Sequence, residues 1–273
     1  MISLQRRAGF LLHLCCLAAV LFLTACSPRG FLAPPASPFN AEEVDSILRH
    51  LSAQGTLVNT LFCTGTLTSK KGITQQDAAI TIVGKRSPFR IKIEITHPWG
   101  SPIANLIADD HRFTLILFPE KQVLLGSVKK GKLSRSFPVP LDPASLWSLV
   151  RGYPLLPQYA HAGSPKKNVI RLFNGQNSLL RRIDVGLSPI RPQACSFPET
   201  GMIQYFETFE KDGEIEFARE VTLKDSSAGT SFRLLIKHVL FNPPVPAGVF
   251  QVVKPNNFKT ILIPEEKSEE HAP

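Results

Sequence analysis

The chain has 273 residues, a formal net charge of +9, 43% hydrophobic residues including 18 phenylalanines, and five cysteines. That is enough apolar material to bury a sizeable core, while beyond the first residues no run reaches the roughly 18 apolar positions of a membrane-spanning helix. The basic excess comes without a basic helix or an aromatic RNA-reading motif, which excludes nucleic acid as the partner and leaves an anionic membrane surface.

The first 25 residues read as a secretory signal: Arg6 and Arg7 precede an apolar run from Ala8 to Leu23, with small residues after it. Leu23, Thr24, Ala25 and Cys26 resemble the bacterial lipobox, which implies lipidation of Cys26 as the first residue of the mature chain and an anchored protein that does not span the bilayer. Cleavage there leaves about 248 residues, a net charge of +7 and two further cysteines, Cys63 and Cys195. In an exported compartment these two form either one disulfide or two buried thiols, and the sequence leaves both open.

Residues 26–39 are rich in Pro, Ser and Gly and read as a tether. Asn40 is a helix N-cap, Glu42 and Glu43 lie in the first turn, and Val44, Ile47, Leu48 and Leu51 form one stripe of a helix to about Ala53. From Leu57 the period changes from that of a helix to that of strands. Six short runs rich in Val, Ile, Leu, Phe and Thr follow, split by connectors such as "RSP", "HPWGS" and "PEK" that favour hairpins. The clearest alternation places Phe89, Ile91, Ile93 and Ile95 on one face and Arg90, Lys92 and Glu94 on the other. Trp99, one of two tryptophans, falls between the turn residues Pro98 and Gly100, where it either folds inward or meets something apolar.

Asp142 as N-cap and Pro143 at the first helical position open a second helix, carrying Leu146, Trp147, Leu149 and Val150 until Gly152 and Pro154 end it. Five more strand patterns follow, for about eleven in all. "NPPVPAGVFQVVKP" then suggests a last turn, and residues 263–273 a disordered tail. The fold expected over residues 40–262 is therefore mainly β with a few helices: a single curved antiparallel sheet with one apolar face, incompletely closed and covered by helices. Its concave face is either an apolar cavity or a packed core. Phe89, Ile91, Ile93, Ile95, Leu115, Leu117, Leu146, Trp147 and Leu149 line it in either case.

The succession of strand, "HPWGS", strand and then "LWSLVRGYP" resembles the outer-membrane lipoprotein receptor LolB, in which an Asn-Pro-Leu-Gly-Ser turn precedes a helix ending in Trp-x-x-Gly-x-Pro. "FNPPVPAGVF" is similar to the Pro-rich C-terminal segment of the wider LolA/LolB class. Gly152 and Pro154 match strictly, whereas Leu149 stands where that family has Trp. The resemblance implies an unclosed β-barrel with a helical lid, whose cavity takes acyl chains of a lipoprotein from a LolA-type periplasmic carrier. It implies delivery to the outer membrane by a lipid-anchored monomer facing the periplasm, without cofactor. Pro98, Trp99 and Gly100 would form the membrane-inserting loop. No nucleophile elbow, metal-binding His pair or phosphate loop points to an enzyme, and the "DDH" at Asp109–His111 reads as a turn rather than a metal site with His97. The competing reading is a structural or sensory lipoprotein that binds lipid or protein without transferring anything.

Overall fold

The computed structural model describes residues 37–128, 143–225, 229–246 and 248–263. The signal, Cys26, most of the tether, Asp142 and residues 264–273 lie outside them. Helix α1 (Ala41–Thr56) begins as its sequence dictates. Asn40 Oδ1 accepts from the Glu43 amide at 2.9 Å and Glu43 Oε2 accepts from the Asn40 amide at 2.8 Å, which satisfies two donors that a helix start leaves open. Its buried stripe is Val44, Ile47, Leu48 and Leu51.

Six strands follow: β1 (Thr60–Lys71), β2 (Thr74–Lys85), β3 (Arg90–Thr96), β4 (Pro102–Asp109), β5 (Arg112–Leu117) and β6 (Gln122–Ser127). After helix α2 (Pro143–Arg151) come β7 (His161–Lys166), β8 (Val169–Phe173), β9 (Leu179–Leu187), β10 (Ile190–Phe197), β11 (Met202–Asp212), β12 (Ile215–Asp225), β13 (Thr230–Phe241) and β14 (Lys259–Leu262). All fourteen form one curved, unclosed sheet in the order β14-β6-β5-β4-β3-β2-β1-β13-β12-β11-β10-β9-β8-β7. Two meanders thus meet at the long β1–β13 pair. Neighbours are antiparallel except β14, which lies parallel on β6, so the expected all-antiparallel sheet carries one parallel edge.

Three strands beyond the expected eleven complete the sheet, and each has a reason to be obscure. β7, "HAGSPK", is an edge strand, where Pro165 needs no ladder partner; β10 carries Pro192 beside a register shift; β14 has four residues and a parallel partner. Ile263, which the sequence assigns to the tail, continues the β14 edge by donating its amide to Leu125 O at 2.8 Å.

The core is the concave face. In one continuous rung Cys63, Ile82, Ile93, Leu106, Leu115 and Leu124 sit opposite one another from β1 to β6, all buried. Period-2 alternation in six strands therefore makes a single apolar wall. Each fully buried Leu or Ile of that wall contributes about 1.5–3 kcal/mol of transfer free energy. No disulfide joins Cys63 and Cys195 in this structure, and β13, β12 and β11 lie between their strands β1 and β10 in the sheet. Both side chains are buried thiols, and burial pushes Cys63 up to about 12.

Helix α2 ends at Gly152, whose φ of +67° favours glycine and whose carbonyl accepts from the Ala218 amide at 2.7 Å. A Cβ there would stand 2.4 Å from Ala218 O. Gly152→Ala is expected to cost about 2 kcal/mol or more, from left-handed strain and that backbone clash together, read as a lower urea midpoint at unchanged slope.

Candidate functional site

The β3–β4 turn answers where Trp99 goes. His97 and Ser101 close the hairpin (amide to carbonyl, 2.8 Å), the Gly100 amide donates to His97 O at 2.8 Å, and Gly100 takes a φ of +93° with open space around it. Pro98, Trp99 and Gly100 are all exposed, and Trp99 keeps 74% of its surface in solvent. One face of the indole stacks on the His97 imidazole, with ring centroids 4.4 Å apart and nearly parallel planes. The ring is therefore held away from the core at one end of the sheet. His111 and Asp109 lie at the opposite end of β4, where Asp109 Oδ1 accepts from the amides of His111 and Arg112 at 2.8 Å each, so "DDH" is a capped turn far from His97.

The nine residues expected to line a cavity do come together. Phe89, Ile91, Ile93, Ile95, Leu115, Leu146, Trp147 and Leu149 are buried members of one apolar cluster, and Leu117 packs half-buried at its margin. They belong to the core, with Trp147 of α2 seated on β2 at Gly84. Trp147 fits because β2 offers a glycine: a Cβ on Gly84 would stand 3.0 Å from the indole and 3.4 Å from Leu61. A surface cavity of about 240 Å³ lies on the outer side of β3–β5, between Arg90, Asp109, Arg112, Ile107, Phe250 and Val252. There the chain between β13 and β14 crosses the outside of the sheet.

Sequence reasoning missed the group that fastens both helices. Arg151, fully buried, donates Nη1 to Glu216 O at 2.8 Å and Nη2 to Gln54 O at 3.3 Å, and lies over the rings of Tyr153 and Phe241 at 5.5 and 5.1 Å. Gln54 completes the tie, its Oε1 accepting from the Glu216 amide at 3.0 Å and its Nε2 donating to Glu214 O at 2.9 Å. The last turns of α1 and α2 and the start of β12 are thus fastened at the end of the sheet away from Trp99. Burial lowers Arg151 to about 10. Burial pushes Glu216 up, but hydrogen bonds and charge from Lys211 (3.1 Å) and Arg191 (3.4 Å) outweigh it and hold the carboxyl below its ordinary range. An Arg at the last position of a short apolar helix was the available signal.

Comparison with known proteins places the architecture. No protein-family model matches the chain, and no curated protein matches it in sequence. Three crystal structures are similar to it: a DUF1329 family protein from Desulfovibrio piger (TM-score 0.54, 11% identity, 76% of this chain and 95% of that one), a domain assigned to outer-membrane lipoprotein sorting from Vibrio parahaemolyticus (0.54, 12%, 77% and 97%), and a LolA superfamily protein from Nitrosomonas europaea (0.52, 13%, 77% and 97%). The chain has the LolA-like fold. At these identities the likeness is one of architecture.

The two tryptophans should separate in mutational tests. Trp99→Ala is expected to change stability by less than about 0.5 kcal/mol, whereas Trp147→Ala should cost about 3–5 kcal/mol in urea unfolding, because only the second vacates a packed site. The lowered Glu216 favours the ionised folded state, so its stabilisation is complete above the ordinary glutamate range and is lost as pH falls through its folded value. The stability gap between wild type and Glu216→Gln should therefore narrow from about pH 6 to about pH 3.

Proposed function

We propose that this protein receives the acyl chains of a lipoprotein between its concave sheet face and helix α2, and releases them into the outer membrane beside Trp99. The observation that carries the reading is the form of the site: a curved, unclosed apolar sheet covered by helices, with an indole held out at one end. Similarity in fold to the lipoprotein-sorting domain and to the LolA superfamily protein supports a lipid or lipoprotein ligand.

Under this reading Cys26 bears the anchor, the domain faces the periplasm, and a LolA-type carrier supplies the cargo. Transfer needs no covalent step and no cofactor, so the chain is not an enzyme. Acyl chains leave one apolar environment for another, and hydrophobic burial sets the direction. Trp99 suits the bilayer interface, where its ring enters the headgroup region while Nε1–H stays hydrated. A second reading is favoured by the tight seat of Trp147: a lipoprotein that binds a lipid or protein partner without handing anything on.

The two separate in a transfer assay with the full chain carrying Cys26→Ala, a labelled acylated lipoprotein loaded on a LolA-type carrier, and liposomes as acceptor. Wild type is expected to take the cargo and deliver it. Trp99→Glu should take as much but deliver at least about tenfold less, the worth of one large apolar side chain at the interface. Failure of the wild type to take cargo from the carrier would sink the transfer reading in favour of the second one.

A further inference from the structure

The β1–β2 hairpin carries a second exposed apolar group at the same end of the sheet. Thr74 pairs with Lys71 across its turn, so Gly72 and Ile73 form the tip, and Ile73 is exposed over its whole side chain. Lys70 and Lys71 precede it, both exposed. An isoleucine fully in water on a two-residue turn serves no packing purpose in the molecule. Turn positions of this kind ordinarily take Asn, Asp or Gly.

Register fixes where this tip lies. β3 stops at Thr96, opposite Ala79, so the residues Thr74–Ala78 of β2 run past it, an overreach of about 17 Å at the usual rise of a strand. β13 follows β1 outward as far as the Lys71–Thr230 pair, which stiffens the finger. The β3–β4 turn with Trp99 lies at this same end, beside the root of the finger. Lys121, in the β5–β6 turn, and Lys224, near the end of β12, add positive charge here. Among the described residues four acidic ones lie at this end as well: Glu120 precedes Lys121, Glu199 lies in the β10–β11 turn, Asp225 ends β12, and Asp77 turns its carboxylate onto the Thr68 hydroxyl at 2.6 Å. The finger tip itself, Lys70 to Thr74, bears only positive charge.

We propose that the Lys70–Ile73 hairpin tip is a second membrane contact, which inserts Ile73 into an anionic leaflet with Lys70 and Lys71 at the phosphates and, together with Trp99, fixes how the sheet faces the bilayer. One inserted side chain leaves a protein able to swivel about the contact. Two contacts at different heights set an inclination of the strands to the membrane. The inference rests on the delivery reading above for its purpose, but not for its test.

The test is co-sedimentation of the full chain carrying Cys26→Ala with vesicles of phosphatidylcholine alone or mixed with phosphatidylglycerol. Ile73→Glu should weaken binding to the mixed vesicles about tenfold. Reversing Lys70 and Lys71 to Glu should weaken it by at least about fivefold per residue on the mixed vesicles and leave binding to phosphatidylcholine alone unchanged. In an Ile73→Trp, Trp99→Phe protein, emission from position 73 should shift to the blue on the mixed vesicles. Wild-type binding by Ile73→Glu and by the lysine reversals, or no vesicle binding by the wild type, overturns the proposal and turns attention to a protein partner for the finger. Loss of vesicle binding in these variants, in a protein that takes no cargo from the carrier, supports the contact while the delivery reading falls. Normal vesicle binding by them, with delivery lost only in Trp99→Glu, does the reverse.

Discussion

An apolar sheet face wider than any two helices could pair with edge to edge has to leave water, and every other feature of this fold follows from how that is done. The wall from Cys63 to Leu124 is continuous across six strands. Curvature brings it round upon itself, and α2 enters the hollow with Leu146, Trp147, Leu149 and Val150 all buried in a helix of nine residues. Such a helix is too short to be stable alone, so its structure is borrowed from the sheet it covers. Gly84 is the counterpart in the wall: the missing side chain is the seat of the indole.

The helix is also fastened by polar contacts. At its C-terminal end Arg151 ties it to α1 and β12 through carbonyl oxygens, and Gly152 locks against Ala218. A guanidinium held in apolar surroundings is costly to leave unpaired, so breaking this tie loses far more than two ordinary hydrogen bonds. Buried polar atoms without a protein partner occur both within the helix, at Trp147 Nε1, and at the tie itself, at Arg151 Nε, Tyr153 Oη and Glu216 Oε2, while Ser148 Oγ accepts from the Leu155 amide at 2.8 Å and Ser145 O accepts from Gln204 Nε2 at 3.0 Å. Each uncompensated group of that kind costs about 1–3 kcal/mol and favours an arrangement in which it meets water.

Much of this was legible in the sequence because the signals were local. The change from 3.6 to 2 residues per repeat after Leu57, the capping box at Asn40 and the Pro-Trp-Gly turn each dictate a conformation within a few residues. The apolar set on Phe89, Ile91, Ile93 and Ile95 gave the inner face correctly for the same reason. What escaped depends on distant partners. β14 is a strand only because β6 offers an open edge, and β10 reads as a loop until β9 and β11 flank it. Arg151 looks like a solvated helix end until Gln54 and Glu216 arrive from residues far along the chain. The seat of Trp147 also lies beyond periodicity, since it depends on Gly84 in a distant strand.

A seated α2 and an acyl-binding role are compatible on energetic grounds. Lifting α2 exposes its four buried apolar side chains at about 1.5–3 kcal/mol each, or roughly 6–12 kcal/mol in all, less the relief of the unpaired polar groups. One acyl chain that buries about a dozen methylenes in the same place returns roughly 10 kcal/mol at about 0.8 kcal/mol per group. The exchange of helix for chain is therefore close to neutral. A deep, permanently open cavity would bind an acyl chain with the full transfer free energy and hold it. A site that must give up its own cover to take the chain holds it weakly, and weak holding is what a protein needs if it passes cargo to a bilayer that buries the chain at no comparable cost.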